Sequence, residues 1–462
     1  AVADSANWWN DTAPTTSVFT VGTDHAVNAN GENYIAYIFA HETGSDSMIQ
    51  CGSYIGNNNN TGPSIDLGWE PQWLLLQNIT DGDSVMMFDT MRGFDNSGDD
   101  VVLLADTNNS ETNDYSGQGF STIVPTSTGF NVVKSIGYVN NNNSRMIYVA
   151  IRRPNMATIT DATKVFGMDL RDDTDAPMFK SGFVTDFSFY RSTTGADDSY
   201  VQSRLTGVNH LHFNTTDAEN TNFTSTNWDY MNGFYDAGSA NSAYQAWMWK
   251  RAKGYFDVVA YTGDSTSSQT IAHSLQAVPE MIWIKNRDQS GYNWIIYHKH
   301  AAAVDGTGSP EDLYLNFNNN GGVAFSATYY ASTSPTNENF YVGRSAGSDD
   351  TNRSTYTYIS YLFSTLAGVS KVGGIAHSGS STDVDCGFSA GARFVMLKRR
   401  DAAGNWFFWD STRGIIAGND PYLLLNDTAA QVTNLDLIDP LASGFQISGD
   451  FTDGDYIFYA IA

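Results

Sequence analysis

Cysteine is nearly absent from this 462-residue chain, which contains only Cys51 and Cys386. A disulfide framework uses several closely spaced cysteines, so this distant pair does not indicate one. No apolar run approaches the roughly 18 residues that cross a bilayer, and membrane insertion is not expected. The chain begins at Ala1 without a methionine or a signal peptide. We therefore expect residue 1 to be a processed end or a boundary within a longer polypeptide.

Positive charge is also scarce, because 24 Lys and Arg residues face 50 Asp and Glu residues, which gives a formal net charge of −26. A field of this sign repels nucleic acid and anionic membrane surfaces. We therefore do not expect the protein to bind nucleic acid. We interpret the acidity as a means of keeping the protein soluble. The alternative is that it serves to bind a divalent cation such as Ca²⁺.

Aromatic residues (13%) and glycine (41 residues) are abundant, whereas charged residues make up only 16% of the chain. Tyr, Phe, Trp, Val, Ile and Thr favour strands, and Gly, Asn, Asp and Ser favour turns. No segment sustains the apolar spacing of an amphipathic helix between helix caps. The composition predicts an all-β protein with very little helix.

An alternating aromatic string recurs along the chain and predicts the closing strand of a repeated unit. Its copies are Tyr34–Phe39, Met146–Ala150, Tyr244–Trp249, Tyr358–Phe363 and Tyr456–Ala460. A second string recurs between them, at 69–93, 278–300 and 392–414, with a weaker copy at 183–207. Each copy reads as an apolar strand, a polar turn with Asp or Gly, and an aromatic strand, which predicts a hairpin.

These repeats divide the chain into a leading segment, 1–40, and four units. The units are the first (41–153), the second (154–250, divergent), the third (251–364) and the fourth (365–462). The leading segment holds only the end of a repeat, so we interpret it as the C-terminal part of a truncated unit. Units of this size with many short strands predict tandem antiparallel β-sandwiches, jelly-roll-like, arranged as beads.

Because the units are homologous, a residue whose type recurs among them is more simply explained by packing than by catalysis. Cys51 aligns with Val258 and Val372, and Cys386 aligns with Leu67, so both are expected to be buried free thiols. The tryptophans are candidate sugar-stacking platforms, but their recurrence in the hairpins favours the core. They are Trp69, Trp73, Trp283, Trp294 and Trp406, with Trp8 and Trp9 outside any complete unit.

The ionisable residues form no pattern that is typical of a catalytic or metal site. Asp and Arg recur three positions apart in DTMRG (89–93) and DSTRG (410–414), which favours a structural ion pair. Gln72, Glu280 and Arg393 share one hairpin position and are interpreted as a drifting surface charge. His210 with His212, and His298 with His300, each share a strand face but lack further ligands nearby in sequence.

Two further polar patterns are interpreted as turns and loops. Asp81-Gly82-Asp83 and Asp453-Gly454-Asp455 lack the spacing of a calcium loop. The asparagine runs at 57–60 and 140–143 indicate loops, although asparagine also binds sugar hydroxyls. The sequence therefore predicts no catalytic, cofactor-binding or metal-binding residue, and no cofactor.

Several strings resemble those of a family of tandem-domain proteins from marine and environmental bacteriophages, described as tail-fibre-like or virion structural proteins. They are NWWNDTAPTTSVFTVGT (7–23), NGENYIAYIFAHETG (30–44), CGSYIG (51–56), GWEPQWLLLQ (68–77) and WMWKRAKGYFDVVAYTG (247–263). The resemblance covers nearly the whole chain. It implies a virion location and partners among other virion proteins, and it carries no catalytic motif across.

The sequence and this resemblance together predict a non-enzymatic virion appendage, a tail-fibre-like adhesin that extends from the particle and binds the host surface. Homo-oligomerisation and weak, multivalent contact with host surface glycans are expected. Two alternatives stay open. One is a head-decoration or other purely structural virion protein, and the other is a depolymerase that hydrolyses host polysaccharide with a pair of carboxylates.

Overall fold

The computed structural model describes residues 5–43, 47–96, 101–112, 122–153, 159–171, 175–222, 226–236, 243–344 and 350–462. Strands dominate this part of the chain. Its helices are short: α1 (Ser5–Trp9), α2 (His25–Asn28), α3 (Gly137–Asn140) and the 3₁₀ turns Ala162–Lys164 and Pro310–Asp312. The prediction of an all-β fold with very little helix is confirmed. The expected start of the second unit, at 154–158, lies outside the described residues.

The first unit is a sandwich of two antiparallel sheets. Its larger sheet has the order β1-β8-β3-β4-β5 and its smaller sheet the order β2-β7-β6. Side chains from both sheets fill the space between them, among them Leu74, Leu76, Ile123 and Phe130, which are all fully buried. Its strands are β1 (Ile49–Ile55), β2 (Ser64–Asp66), β3 (Pro71–Asn78), β4 (Met86–Asp89), β5 (Leu103–Leu104), β6 (Ile123–Thr126), β7 (Gly129–Val132) and β8 (Arg145–Arg152).

The second unit has the same two-sheet plan in spite of its divergent sequence. Its larger sheet has the order β13-β12-β11-β16-β9 and its smaller sheet the order β10-β15-β14. Its strands are β9 (Phe166–Leu170), β10 (Phe179–Lys180), β11 (Phe187–Ser192), β12 (Tyr200–Ser203), β13 (Leu211–His212), β14 (Thr226–Asn227), β15 (Gly233–Asp236) and β16 (Tyr244–Trp249).

The third unit pairs β17-β24-β19-β20 in its larger sheet, and the smaller pairs are β18-β23 and β21-β22. Its strands are β17 (Phe256–Thr262), β18 (Gln269–Ala272), β19 (Met281–Asn286), β20 (Ile295–His298), β21 (Leu313–Tyr314), β22 (Ala324–Phe325), β23 (Asn339–Val342) and β24 (Thr357–Phe363).

The fourth unit repeats the plan with the orders β25-β32-β27-β28-β29 and β26-β31-β30. Its strands are β25 (Ser370–His377), β26 (Thr382–Asp385), β27 (Phe394–Arg399), β28 (Trp406–Asp410), β29 (Leu423–Leu424), β30 (Ile438–Leu441), β31 (Gly444–Ile447) and β32 (Gly454–Ile461). The tandem antiparallel sandwich is therefore confirmed as the fold class.

The predicted hairpins are the β3–β4, β11–β12, β19–β20 and β27–β28 pairs, and their strand register is the same in all four units. Leu75 pairs with Met87, Trp283 with Ile296, and Met396 with Phe408. The turns need a residue that tolerates positive φ, and Gly82 (φ 74°) and Gly291 (φ 94°) supply it. The closing strand lies in the middle of each larger sheet, between its first strand and the hairpin.

The strand predicted at Tyr34–Phe39 is wrong, because this segment forms no strand in the structure. Ile35, Tyr37 and Ile38 are 83%, 82% and 74% exposed. Alternation of apolar side chains makes a segment suited to a sheet, but a strand forms only where partner strands supply its backbone hydrogen bonds. The interpretation of 1–40 as part of a truncated unit stays a prediction.

The last three units are fused around one hydrophobic core, which corrects the expectation of separate beads. Each larger sheet has an inner face, toward its own smaller sheet, and an outer face. The outer faces of the second, third and fourth units pack against one another in what we call the common core. Ring centroids lie 4.4 Å apart for Phe187 and Tyr361, 5.5 Å for Phe166 and Phe394, and 5.0 Å for Phe363 and Tyr459.

Candidate functional site

Three buried cations connect the last three units around the common core. Arg191, Lys285 and Lys398 occupy equivalent positions, two residues after Phe189, Trp283 and Met396 in the same strand of each unit. All three are completely buried. Each is a candidate functional residue because a buried cation is rare unless it has a specific partner.

Each cation donates a hydrogen bond to a backbone carbonyl of another of these three units. Lys285 Nζ donates to Thr216 O of the second unit at 3.2 Å. Lys398 Nζ donates to Asn320 O of the third unit at 3.1 Å. Arg191 reaches the fourth unit, where Nη2 donates to Ala429 O at 2.7 Å. The third unit thus donates to the second, the fourth to the third and the second to the fourth, which closes a ring.

A second layer of donors follows the same direction around the ring. Trp294 Nε1 donates to His212 O of the second unit, and Trp406 Nε1 donates to Asn316 O of the third, both at 2.7 Å. The second unit has Ser199 at the tryptophan position, and Arg191 Nη1 donates to Leu424 O of the fourth unit instead, at 2.8 Å. A head-to-tail contact that returns to its start after three units is a closed heterologous interface.

Burial determines the protonation chemistry of these cations. Because removal from water disfavours the charged form, the pKa of Lys285 and of Lys398 falls to about 8. Burial lowers the pKa of Arg191 to about 10. Each of these side chains is held in place by backbone carbonyls of another unit, and together they join the three units.

The first unit is attached to this ring by a buried ion cluster, which consists of Glu70, Arg153, Asp186, Arg204, Arg251 and Asp257. Arg251 donates to both oxygens of Glu70 at 2.9 Å and to Asp257 at 2.6 Å. Arg153 donates to Asp186 at 2.6 Å. Three guanidinium groups face three carboxylates, so the formal charges balance at the junction of the first three units.

The electrostatics of the ion cluster stabilise its charged forms. Burial would raise the pKa of Asp186, but the guanidinium groups of Arg153, Arg204 and Arg251 outweigh it and hold this pKa below its usual range. Burial would likewise lower the pKa of Arg251, but Asp257 and Glu70 raise it. A buried carboxylate with a lowered pKa is a poor general acid, and Asp186 therefore serves attachment.

A cleft of about 580 Å³ opens beside the ion cluster, between the first and second units. We call it the junction cleft. Trp73, Met91 and Arg153 line it from the first unit, and Met231 and Lys250 line it from the second. Trp73 is half-buried, so the prediction that it belongs to the core is wrong. An aromatic face beside cations is a surface that suits a sugar ring with an acidic group.

The other tryptophans of the units are core residues, as predicted. Trp69, Trp283, Trp294 and Trp406 are each at most 1% exposed. Trp8 and Trp9, in the leading segment, are 37% and 47% exposed. Trp73 differs from its aligned partners Met281 and Phe394, which lie in the common core, because the first unit takes no part in that core among the described residues.

The two cysteines are both free, but only one is buried. Cys386 is 6% exposed, and burial raises the pKa of its thiol to about 12. Cys51 is half-buried on the outer face of the first unit. The prediction of two buried thiols is thus confirmed for Cys386 and wrong for Cys51. The aligned Val258 and Val372 are covered by neighbouring units in the common core, whereas Cys51 takes no part in that core.

The aligned Asp and Arg residues of DTMRG and DSTRG form the predicted ion pairs. Arg92 Nε lies 2.6 Å from Asp89 Oδ2, and Arg413 Nε lies 2.6 Å from Asp410 Oδ2. Asp410 also accepts from Trp247 Nε1 of the second unit at 3.0 Å. The fourth unit therefore uses this pair inside the common core, whereas the first unit leaves it half-buried.

The position shared by Gln72, Glu280 and Arg393 is not the drifting surface charge that we expected. All three side chains are half-buried. Glu280 accepts from Lys299 Nζ at 3.0 Å and from Thr365 N at 2.8 Å. Arg393 donates across a unit boundary to Phe166 O at 3.3 Å. At Glu280 and Arg393 this position therefore makes specific polar contacts, which differ between the two units.

The two imidazole rings of each histidine pair lie side by side. Ring centroids are 5.0 Å apart for His210 and His212, and 5.8 Å apart for His298 and His300. Burial lowers the pKa of His210 to about 4 and that of His298 to about 3, so both rings are neutral. Within the described ranges, no three His, Cys, Asp or Glu side chains come together as metal ligands.

The acidic turns and the asparagine runs have structural partners. Asp81 and Asp83 both accept from Asn78 Nδ2, at 2.8 and 2.9 Å. The two asparagine runs contact each other, since Asn140 Oδ1 accepts from Asn57 N at 2.8 Å and Asn140 Nδ2 donates to Asn59 O at 2.8 Å. Sequence reasoning identified two loops and missed their mutual contact.

Asp420 of the fourth unit is a candidate that sequence reasoning missed. It is fully buried, and its Oδ1 accepts from Ile416 N at 2.8 Å. Burial, and then the charges of Asp436 and Asp439, raise its pKa to about 6. Nothing in the spacing of these three residues signals the cluster, because the loops that carry them meet only in the fold.

The comparisons with known proteins give a family and no activity. A family model described as "Domain of unknown function (DUF7483)" matches residues 1–153 and 168–462. The chain belongs to this family. The match includes the three ring cations and the ion cluster. No curated protein matches the chain. In the part of the chain that the structure describes, no helix is both long and apolar enough to span a membrane.

Proposed function

We propose that the protein is a non-enzymatic structural component of a bacteriophage particle, a tail-fibre-like appendage that binds the host surface. The observation that carries this proposal is the closed ring of three units. Its common core and its buried cations join the units into one body, which suits a part that must hold its shape under load. The resemblance of the sequence strings to tail-fibre-like proteins supports the virion location.

The junction cleft supports the adhesive part of the proposal. Its half-buried Trp73 offers an aromatic face to the apolar side of a pyranose ring, and Lys250 offers a positive charge to an acidic substituent. One such contact is weak. Many copies on one particle raise the overall affinity through effective concentration. We therefore propose acidic host surface glycans as the ligand class.

Immunogold electron microscopy on purified particles tests the location. An antibody raised against the whole chain should place gold on tail appendages. Gold on the head would favour the head-decoration alternative, and particles without gold would contradict a virion role.

A glycan array tests the ligand class. The chain should bind acidic glycans, and Trp73→Ala should weaken this binding by roughly tenfold, as expected when a stacking contact of about 1.5 kcal/mol is lost. The matched control is Trp9→Ala, which removes an exposed tryptophan outside the cleft. Equal loss in both variants, or no binding by the unmodified chain, would contradict a glycan site at the cleft.

One observation favours the depolymerase as a second candidate function. Burial and the charges of Asp436 and Asp439 raise the pKa of Asp420 to about 6, in the range of a general acid, but the side chain is fully buried and a glycan would reach it only after the covering loops open. Incubation of the protein with host surface polysaccharide distinguishes the two functions. Our proposal predicts no release of oligosaccharides. Sustained release that Asp420→Asn abolishes would establish the depolymerase instead.

A further inference from the structure

The larger sheet of the first unit has an outer face that matches those of the ring units position by position. Leu75 pairs with Val149 as Trp283 pairs with Tyr361 in the third unit. We call this surface the open face. It consists of Cys51, Leu75, Met87, Ile147, Val149 and Ile151, and at its edge Trp73 and its cross-strand partner Asp89 line the junction cleft instead. All six side chains are apolar, although none of them belongs to the common core.

The open face differs from its counterparts in burial. Ile147, Ile359 and Ile457 are equivalent, because they pair with Gln77, Lys285 and Lys398 at the same place in each sheet. Ile359 and Ile457 are 0% and 1% exposed, whereas Ile147 is 37% exposed. The other five side chains of the open face are half-buried. A contiguous apolar sheet surface of this kind marks an interaction site.

We infer that the open face binds the open faces of further copies of this chain, in the closed three-sheet arrangement of the common core. The support is internal, because three homologous outer faces already bury one another in that arrangement within this molecule. None of these six side chains is charged, and Asp89 at the edge of the face is paired with Arg92, so the strong net negative charge of the chain is not concentrated where the copies would meet. The inference does not depend on a virion role.

Gln77 supports the same partner. It occupies the position of the ring cations Lys285, Lys398 and Arg191, each of which donates to a carbonyl of the next unit. A glutamine amide keeps the donor and removes the charge. In an association of three copies, Gln77 is placed to donate to the loop that follows β5 of the neighbouring copy. It would do so without the cost of burying a cation.

Sedimentation velocity over a wide range of protein concentration tests the inference. The chain should associate into a species with three times the monomer mass, and Ile147→Lys should return it to monomer. Ile147 is partly exposed, so this variant should fold, as circular dichroism will check. The matched control is Phe325→Lys, which changes a 71% exposed residue of the third unit and should leave association unchanged.

Alkylation of the two thiols gives a second readout without any substitution. Cys51 lies on the open face, so its labelling rate should fall as association rises with concentration. Cys386 is buried in the fourth unit and serves as the internal reference. A chain that stays monomeric at every concentration would overturn the inference and leave the face to a different partner. Association that neither Ile147→Lys nor Cys51 labelling detects would overturn it as well.

Discussion

The first unit and the three ring units share the central strand pairing of the larger sheet, but they differ in what their outer faces touch. In the third unit, Trp283 and Tyr361 are 1% and 0% exposed against the neighbouring units. In the first unit, the equivalent Leu75 and Val149 are smaller and half-buried. The inner face is therefore sufficient to fold a unit. The outer face determines how units associate.

Side-chain size on the outer face follows from this division of roles. An aromatic side chain buries about 150–250 Å² and contributes ring contacts beyond its area. The ring units place such residues where three sheets converge, and the resulting rings form a connected network. The first unit is attached through the ion cluster, and its outer face takes no part in the common core.

The largest effect on stability is expected at the most buried of the compared outer-face positions. Trp283→Ala should lower the free energy of unfolding by about 3–5 kcal/mol, because it leaves a large cavity in the common core. The equivalent Leu75→Ala should cost about 1–2 kcal/mol, since half-buried atoms lose less contact. Urea unfolding measures both. Equal costs would mean that the open face is as well covered as the core.

The next effect concerns the attachment of the first unit. Arg251→Met should cost about 3–5 kcal/mol, because it leaves Glu70 and Asp257 buried without their shared cation. Arg92→Met is the matched control, since its pair with Asp89 is partly exposed and should be worth less than about 1 kcal/mol. Thermal unfolding measures the difference. A small loss in Arg251→Met would show that water enters the cluster.

The fold within each unit was predictable from sequence, whereas the arrangement of the units was not. A hairpin such as that of Trp283 and Ile296 is encoded locally by two strands and a turn, so its repetition was visible. Ile284 and Trp283 are both apolar, and alternation alone cannot tell which faces the unit's own smaller sheet and which faces a neighbour. The ring therefore stayed hidden.

One signal could have revealed the ring. Arg191, Lys285 and Lys398 align at the end of an apolar strand, where Gln77 stands in the first unit. A cation that recurs beside core residues indicates a buried partner, and its absence from one unit indicates that this unit associates differently. The junction cleft and Asp420 had no such signal, because their residues come from distant loops and from different units.

The protonation of Lys285 and Lys398 provides a further test of the difference between the ring units and the first unit. The folded-state pKa of Lys285 and Lys398 is about 8, below the ordinary value of 10.5. Between these values the unfolded chain binds more protons than the folded one, so stability should rise with pH. The expected gain is about 1 kcal/mol per lysine between about pH 8 and 9. Below about pH 8 both states are protonated and this gain disappears.

Urea unfolding across this range should show the rise, and the double variant Lys285→Met, Lys398→Met should lose it. Lys299→Met is the control, because this lysine is partly exposed and lies outside the ring. The slope with pH is the readout, so a general loss of stability in the double variant does not obscure it. An unchanged slope in the double variant would mean that the ring amines stay hydrated.

The smallest effects are expected at the cysteines. Cys386 and Leu67 occupy the same turn, where the preceding aspartate accepts from the following glycine in both units. Cys51 stands where the ring units have Val258 and Val372. If both thiols only fill space, Cys51→Val and Cys386→Val should each change the free energy of unfolding by less than about 1 kcal/mol, because the volumes are similar. Urea unfolding under reducing conditions measures this. A larger cost at Cys51 alone would show that the open face is packed more tightly than its exposure indicates, since the same valine is accommodated in the fully covered faces of the third and fourth units.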